Sequence, residues 1–248
     1  MNQIAMHPPK KLVLGKYHAL DLSHSLHPQI PTWSGGCGFH LEIKLDYEEG
    51  LRVQSLKAHA GIGTHLDAPS HFIQGSWNAD EIPLENLIVP VCVLHLKSKM
   101  DPNLFVSPED IEEFEKKHGG IPRGSLVLAH TGWDQFWNEP HRYRNPDAMG
   151  KMRFPGFSKE AAELLLEKHI AGIGIDTLSP DGSNNSSGGD AHYYPVHELI
   201  LSAKKYILEN VAHLAQMPPT SAYAIVLPLK MEKASEAPIR IVGLIPAA

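Results

Sequence analysis

Cysteine is scarce. Cys37 and Cys92 are the two in a chain of 248 residues, too few to imply a disulfide framework, and neither has an obvious histidine partner in sequence that would mark a thiol nucleophile. No apolar run reaches the length that spans a bilayer. The stretch MNQIAMHPPKKLVLGKY lacks the apolar core and small-residue cleavage site of a secretory signal, so the expected setting is reducing and cytoplasmic, without a membrane partner. Basic residues are outnumbered, 22 Lys and Arg against 28 Asp and Glu, for a formal net charge of −6. Lys116-Lys117 and Lys204-Lys205 are isolated pairs rather than a stripe that grips phosphates, which argues against a nucleic-acid partner. Also missing are a Gly-x-Ser-x-Gly elbow, a phosphate loop and a dinucleotide fingerprint; GIGID is too short and lacks the right continuation. Serine-nucleophile and nucleotide-dependent chemistries are thereby disfavoured.

Apolar residues make up 42% and charged residues 20%, ordinary for a globular protein. The length suits one large α/β domain, and residues 1–248 read as a single one. Short apolar segments bounded by breakers predict strands at 91–96, 125–131, 171–177, 222–229 and 239–245. Ser107, followed by Pro108, Glu109 and Asp110, predicts a helix start, and Gly119-Gly120 its stop. Ser158 predicts the cap of a second helix, KEAAELLLEKH, with Gly172 as its end. Helices alternating with strands imply an α/β fold with a mixed sheet and flanking helices. The polar, Gly-rich stretch at 179–190, SPDGSNNSSGGD, reads as a mobile surface loop.

What the chain does have is histidine, sixteen of them, the residue of metal sites and proton transfer. The segment AHAGIGTHLDAPSHF holds His59, His65, Asp67 and His71. In an extended segment, residues two apart face the same way, so His65 and Asp67 converge on one point, a donor pair suited to zinc or manganese. Gly61 and Gly63 permit a tight bend or close backbone approach. A lone His-x-Asp pair is more often without function, and residues alone leave open whether this is a metal site, a proton-transfer site or neither.

The string GTHLDAPSH resembles the signature of the cyclase family, which includes bacterial kynurenine formamidase and isatin hydrolase. DLSHSLHPQIPTW upstream, and HTGW, GIGIDTLSPD, PVH and ILENVAHL downstream, follow in the family's order. The resemblance implies a swivelling β/β/α-like architecture and a metal-dependent hydrolase. It assigns His65, Asp67, His197 and Glu209 to one or two divalent ions, zinc or manganese. His71 becomes the catalytic base and acid, and Trp33 an aromatic wall for a small, aromatic substrate. It further implies a homodimer or homotetramer. One departure stands out: the family's first metal-binding histidine falls at Gly61 here. His59, two residues earlier, is the candidate extra ligand. Extended chain would hold it about 20 Å from His65 at roughly 3.3 Å per residue, so it is expected in a supporting or core role.

The ligand set constrains the backbone. His197 and Glu209 are twelve residues apart; in one straight helix they would lie about 18 Å apart at roughly 1.5 Å per residue and could not share an ion. If both are ligands, HELILSAKKYILEN must be a short helix over about 196–203, a reversal near Lys204-Lys205, and a strand through 206–209. Among the other residues, His130 and Trp133 are expected to approach the pocket, His192 to reach it if the polar loop closes, and Asp176 to be a buried structural carboxylate. Three functional readings follow: a metal-dependent amidohydrolase of the arylformamidase or isatin hydrolase kind, a lactone hydrolase or cyclase on the same scaffold, and a binding protein that has lost a metal.

Overall fold

The computed structural model describes residues 13–96, 100–182 and 193–247. Its strands are β1 (Val13–Leu14), β2 (Tyr17–Asp21), β3 (Phe39–Leu45), β4 (Val53–Ala58), β5 (His65–Asp67), β6 (Ile88–His95), β7 (Phe105–Val106), β8 (Leu126–His130), β9 (Gly156–Phe157), β10 (Gly172–Ile175), β11 (Tyr206–Glu209), β12 (Ala222–Pro228) and β13 (Glu236–Pro246). The α-helices are α1 (Pro108–His118), α2 (Pro140–Arg144), α3 (Lys159–Glu167) and α4 (Pro195–Ser202). No described helix is long and apolar enough to cross a membrane.

The fold is α/β around a mixed sheet, as the alternation of elements implies. The sheet runs β1-β2-β13-β12-β6-β8-β10-β11-β5, and β5 also pairs with β13, so the strands from β13 to β5 close into a ring. β6, β8, β10 and β11 are parallel neighbours, joined through α1, α3 and α4 as parallel strands require. Alternation divides their side chains between two cores. Val91, Val93, Leu126, Leu128 and Leu208 point one way, with Leu66, Val226 and Ile241. Cys92, Leu94, Val127, Ala129, Ile173 and Ile207 point the other, against Ile111, Phe114, Leu165, Val196 and Ile200 of the helices. Both faces are covered, which explains the continuous apolar runs.

Local chemistry sets the helix ends. Ser107 and Asp110 cap α1 reciprocally, and Gly119 ends it. Ser158 accepts from Ala161 N at the start of α3. Gly172 does not end that helix, contrary to expectation. α3 stops at Glu167, the left-handed residue beyond it is His169, and Gly172 opens β10. A Cβ at Gly172 would lie 2.5 Å from Tyr206 O, so this glycine serves close strand packing. The segment after Tyr194 divides as the ligand spacing demands, into α4, a reversal through Lys204 at positive φ, and β11.

The stretch at 179–190 is not wholly surface. Ser179 and Asp181 are buried; residues 183–192, including His192 and most of that stretch, lie outside the described residues. β3 and β4 form a separate antiparallel pair that leaves Leu41, Ile43, Leu45, Val53 and Leu56 exposed.

Candidate metal centre

β5 is three residues long and buried, and it lies between two antiparallel partners. β11 sets Glu209 opposite His65; β13 sets Glu236 opposite Asp67. Because directly opposed residues share a sheet face and residues two apart on a strand do too, His65, Asp67, Glu209 and Glu236 all project to the same side. α4 adds His197 from its first turn. Pro69 starts the single turn, Pro69–His71, that carries His71.

Two carboxylates bridge two imidazoles. His65 Nε2 lies 3.5 Å from Asp67 Oδ1 and 3.4 Å from Glu209 Oε2. His197 Nε2 lies 3.5 Å from Asp67 Oδ2 and 3.4 Å from Glu209 Oε1. Each carboxylate thus presents one oxygen to each ring. A tetrahedral ion with bonds of about 2.0–2.1 Å has ligand atoms about 3.3–3.4 Å apart, close to these separations. Asp67 is 1% exposed, yet its Oδ1 has no hydrogen-bond partner. A buried carboxylate oxygen so placed is costly unless something binds it. The donor set fits an N/O-ligated divalent ion.

Both rings are oriented from behind. His65 Nδ1 lies 2.9 Å from Gly63 O, so donation there leaves Nε2 free to face the carboxylates. Gly63 has φ of +63°, and a Cβ on it would meet Leu26 at 2.3 Å. His197 Nδ1 contacts Asp181 Oδ2, while Asp181 Oδ1 accepts from Val196 N. One carboxylate therefore caps α4 and fixes the ring that α4 presents. Burial works against protonating His65, but Asp67 and Glu209 outweigh it and raise the imidazole to about 10. His197 is likewise held well above the ordinary value, by Asp181, Asp67 and Glu209 against burial. Asp67 is lowered, its burial overcome by the two imidazoles and His71.

A cavity of about 530 Å³ opens above this group. His71 lines it, and its Nδ1 is 3.7 Å from Glu236 Oε2. Trp33, Phe72 and Tyr194 form an aromatic wall, with Tyr194 6.2 Å from Trp33 and 5.8 Å from Phe72 between ring centroids. Phe72 stacks on His197 at 4.8 Å.

Other expectations need correction. His59 is exposed at the cavity wall beside Gly38, neither core nor in contact with the carboxylate cluster among the described contacts. His130 and Trp133 do not line the cavity. His130 is the last residue of β8 and its Nδ1 is 2.8 Å from His95 Nδ1; Trp133 is buried and donates Nε1–H to Tyr143 O. Asp176, by contrast, is the buried structural carboxylate expected: it accepts from the amides of Thr131, Gly132 and Trp133 and from the Thr131 hydroxyl. Although His130, Asp134 and Asp176 gather within 4.8 Å, those donors occupy Asp176. Sequence reasoning missed Asp181 and Glu236. Asp181 stands in the quoted SPD string, but neither residue carries a spacing signal linking it to His65.

Residues 20–182 match the family described as putative cyclase. Isatin hydrolase of Roseibium aggregatum is 33% identical over 192 residues, 75% of this chain and 72% of that protein. Kynurenine formamidase of Bordetella avium is 26% identical over 227 residues, 90% of this chain and 95% of that protein. Among solved structures, isatin hydrolase A from Labrenzia aggregata bound to benzyl benzoate superposes with a TM-score of 0.84 at 31% identity, over 94% of this chain and 95% of that one.

Proposed function

The chain belongs to the cyclase family, and from that premise we propose that it is a metal-dependent hydrolase of a small, aromatic amide or cyclic amide. The observation that carries this reading is the doubly bridged group of His65, Asp67, His197 and Glu209 beneath an aromatic-walled cavity. These four residues would hold one or two divalent ions, with zinc and manganese both suited to the donors. Bound there, such an ion supplies Lewis acidity, making water easier to deprotonate and a carbonyl easier to attack.

The protein's own groups supply the rest. His71 lines the cavity without joining the bridged set, and takes the proton from water at Nε2. Its Nδ1 faces Glu236, so the imidazolium formed stands beside a carboxylate. Nε2 then returns that proton to the departing nitrogen of the amide, which leaves as a neutral amine rather than as an amide anion. Trp33, Tyr194 and Phe72 receive the aromatic part of the substrate by stacking or edge contact, which keeps the scissile carbonyl over the cluster.

Isatin hydrolase and kynurenine formamidase, the relatives' names, supply the first two substrates to test. Turnover of isatin, N-formylkynurenine and small lactones should be measured with protein stripped of metal and then supplied with zinc or manganese. The proposal expects hydrolysis of an amide that vanishes on stripping and returns with the ion. Hydrolysis of lactones alone would move the reading to the other ring chemistry. Metal binding without turnover of any of them would favour a binding protein.

A further inference from the structure

We propose that Glu236 is a metal ligand in this protein, completing the His65 side of the centre in the space left by Gly61. This rests on reading the bridged cluster as a metal site. The cluster divides in two: Asp67 Oδ1 and Glu209 Oε2 turn to His65, while Asp67 Oδ2 and Glu209 Oε1 turn to His197. The His65 side therefore has one nitrogen and two oxygens, one short of the usual four donors. The His197 side faces His71, whose part is proton transfer.

Glu236 is placed to be the missing donor. Antiparallel pairing sets it directly opposite Asp67, on the face that carries His65. His65, Asp67 and Glu236 can each offer one ligand atom such that all three lie within 4.8 Å of one another. The steric evidence is independent of pairing. A Cβ built on Gly61 would fall 1.9 Å from Glu236 Oε1 and 3.3 Å from His65 Nε2. The carboxylate thus occupies the volume that a side chain at position 61 would enter, next to the ring nitrogen that faces the cluster. Glycine at 61 makes room for Glu236, and Asp67 Oδ1, buried without a hydrogen bond, marks the side on which a cation is needed.

The test is titration of chelator-stripped protein with Mn²⁺, followed by calorimetry and by the electron paramagnetic resonance of the bound ion. Wild type, Glu236→Ala and Gly61→Ala are compared, with thermal unfolding of each metal-free protein as a fold control. We expect wild type to bind Mn²⁺ and both variants to lose an equivalent or at least about tenfold in affinity, Gly61→Ala because its methyl displaces the carboxylate. Should Glu236→Ala not fold, Glu236→Gln keeps the shape and is read instead. Wild-type stoichiometry, affinity and spectrum in a folded Glu236 variant would overturn the assignment while leaving the four-residue centre intact. Failure of the wild type itself to bind Mn²⁺ or Zn²⁺ would overturn the centre as a whole.

Discussion

Glu209 stands directly across a strand pair from His65, its Oε2 3.4 Å from the ring Nε2. The two are 144 positions apart in the chain, and antiparallel pairing alone makes them neighbours. The same register principle brings Glu236 opposite Asp67. A sheet that supplies four polar side chains to one face must place them against something polar or charged, and a cation is such a partner.

Asp181 supports the centre without belonging to the bridged group. Its contact with His197 Nδ1 and its bond to Val196 N hold ring and helix together. Asp181→Asn should weaken metal binding about 10- to 100-fold, as loss of a partner behind a ligand does. Calorimetric titration of the stripped variant reads the effect.

His71 lines the cavity outside that group. His71→Ala should lower kcat about 10²- to 10⁴-fold and leave the metal content of the protein unchanged. Rate measurements paired with elemental analysis of the same sample check both parts.

The raised imidazole of His65 gives a pH dependence. In metal-free protein its pKa rises from the ordinary 6.5 to about 10, so the folded state holds the proton more tightly than the unfolded one. That stabilisation is complete below about 6.5 and is lost as pH climbs through about 10. Thermal unfolding of stripped protein should therefore move to lower temperature across this interval. Because a cation must displace the proton, metal affinity should rise over the same interval, with protons released on binding.

His24 acts in the opposite direction. Burial, helped by His213, lowers it from 6.5 to about 3. It stacks on Trp137 at 3.9 Å, with its Nε2 unpartnered. Between 6.5 and 3 the unfolded chain takes the proton and the folded chain refuses it, so stability falls as acid is added. His24→Phe keeps a ring on Trp137 and should flatten the acid limb in a pH series of unfolding temperatures.

Much of this architecture was legible because local signals agreed with it. Ser107 and Gly119 bound a helix by capping chemistry, and once the family resemblance makes ligands of both His197 and Glu209, their spacing requires a helix, a reversal and a strand. His65 and Asp67 share a face by strand parity. Glu236 and Asp181 were illegible for a common reason: each reaches the cluster through tertiary pairing. Glu236 opens β13, 27 positions beyond Glu209, and only the register of β13 on β5 turns it inward. Asp181 sits in a polar stretch whose composition suggests solvent, yet it is buried under α4. Gly172 misled because a glycine near a helix end imitates a stop; its role is close contact with Tyr206.

A cation surrounded by His65, Asp67, His197 and Glu209 would be directly visible in crystals. Anomalous diffraction from crystals equilibrated with Mn²⁺ or Zn²⁺, recorded at the edge of each metal, tests for it most directly. An anomalous peak is expected between the two Nε2 atoms and the paired carboxylates. Saturated crystals with no peak there, or with density only at surface histidines, would contradict it.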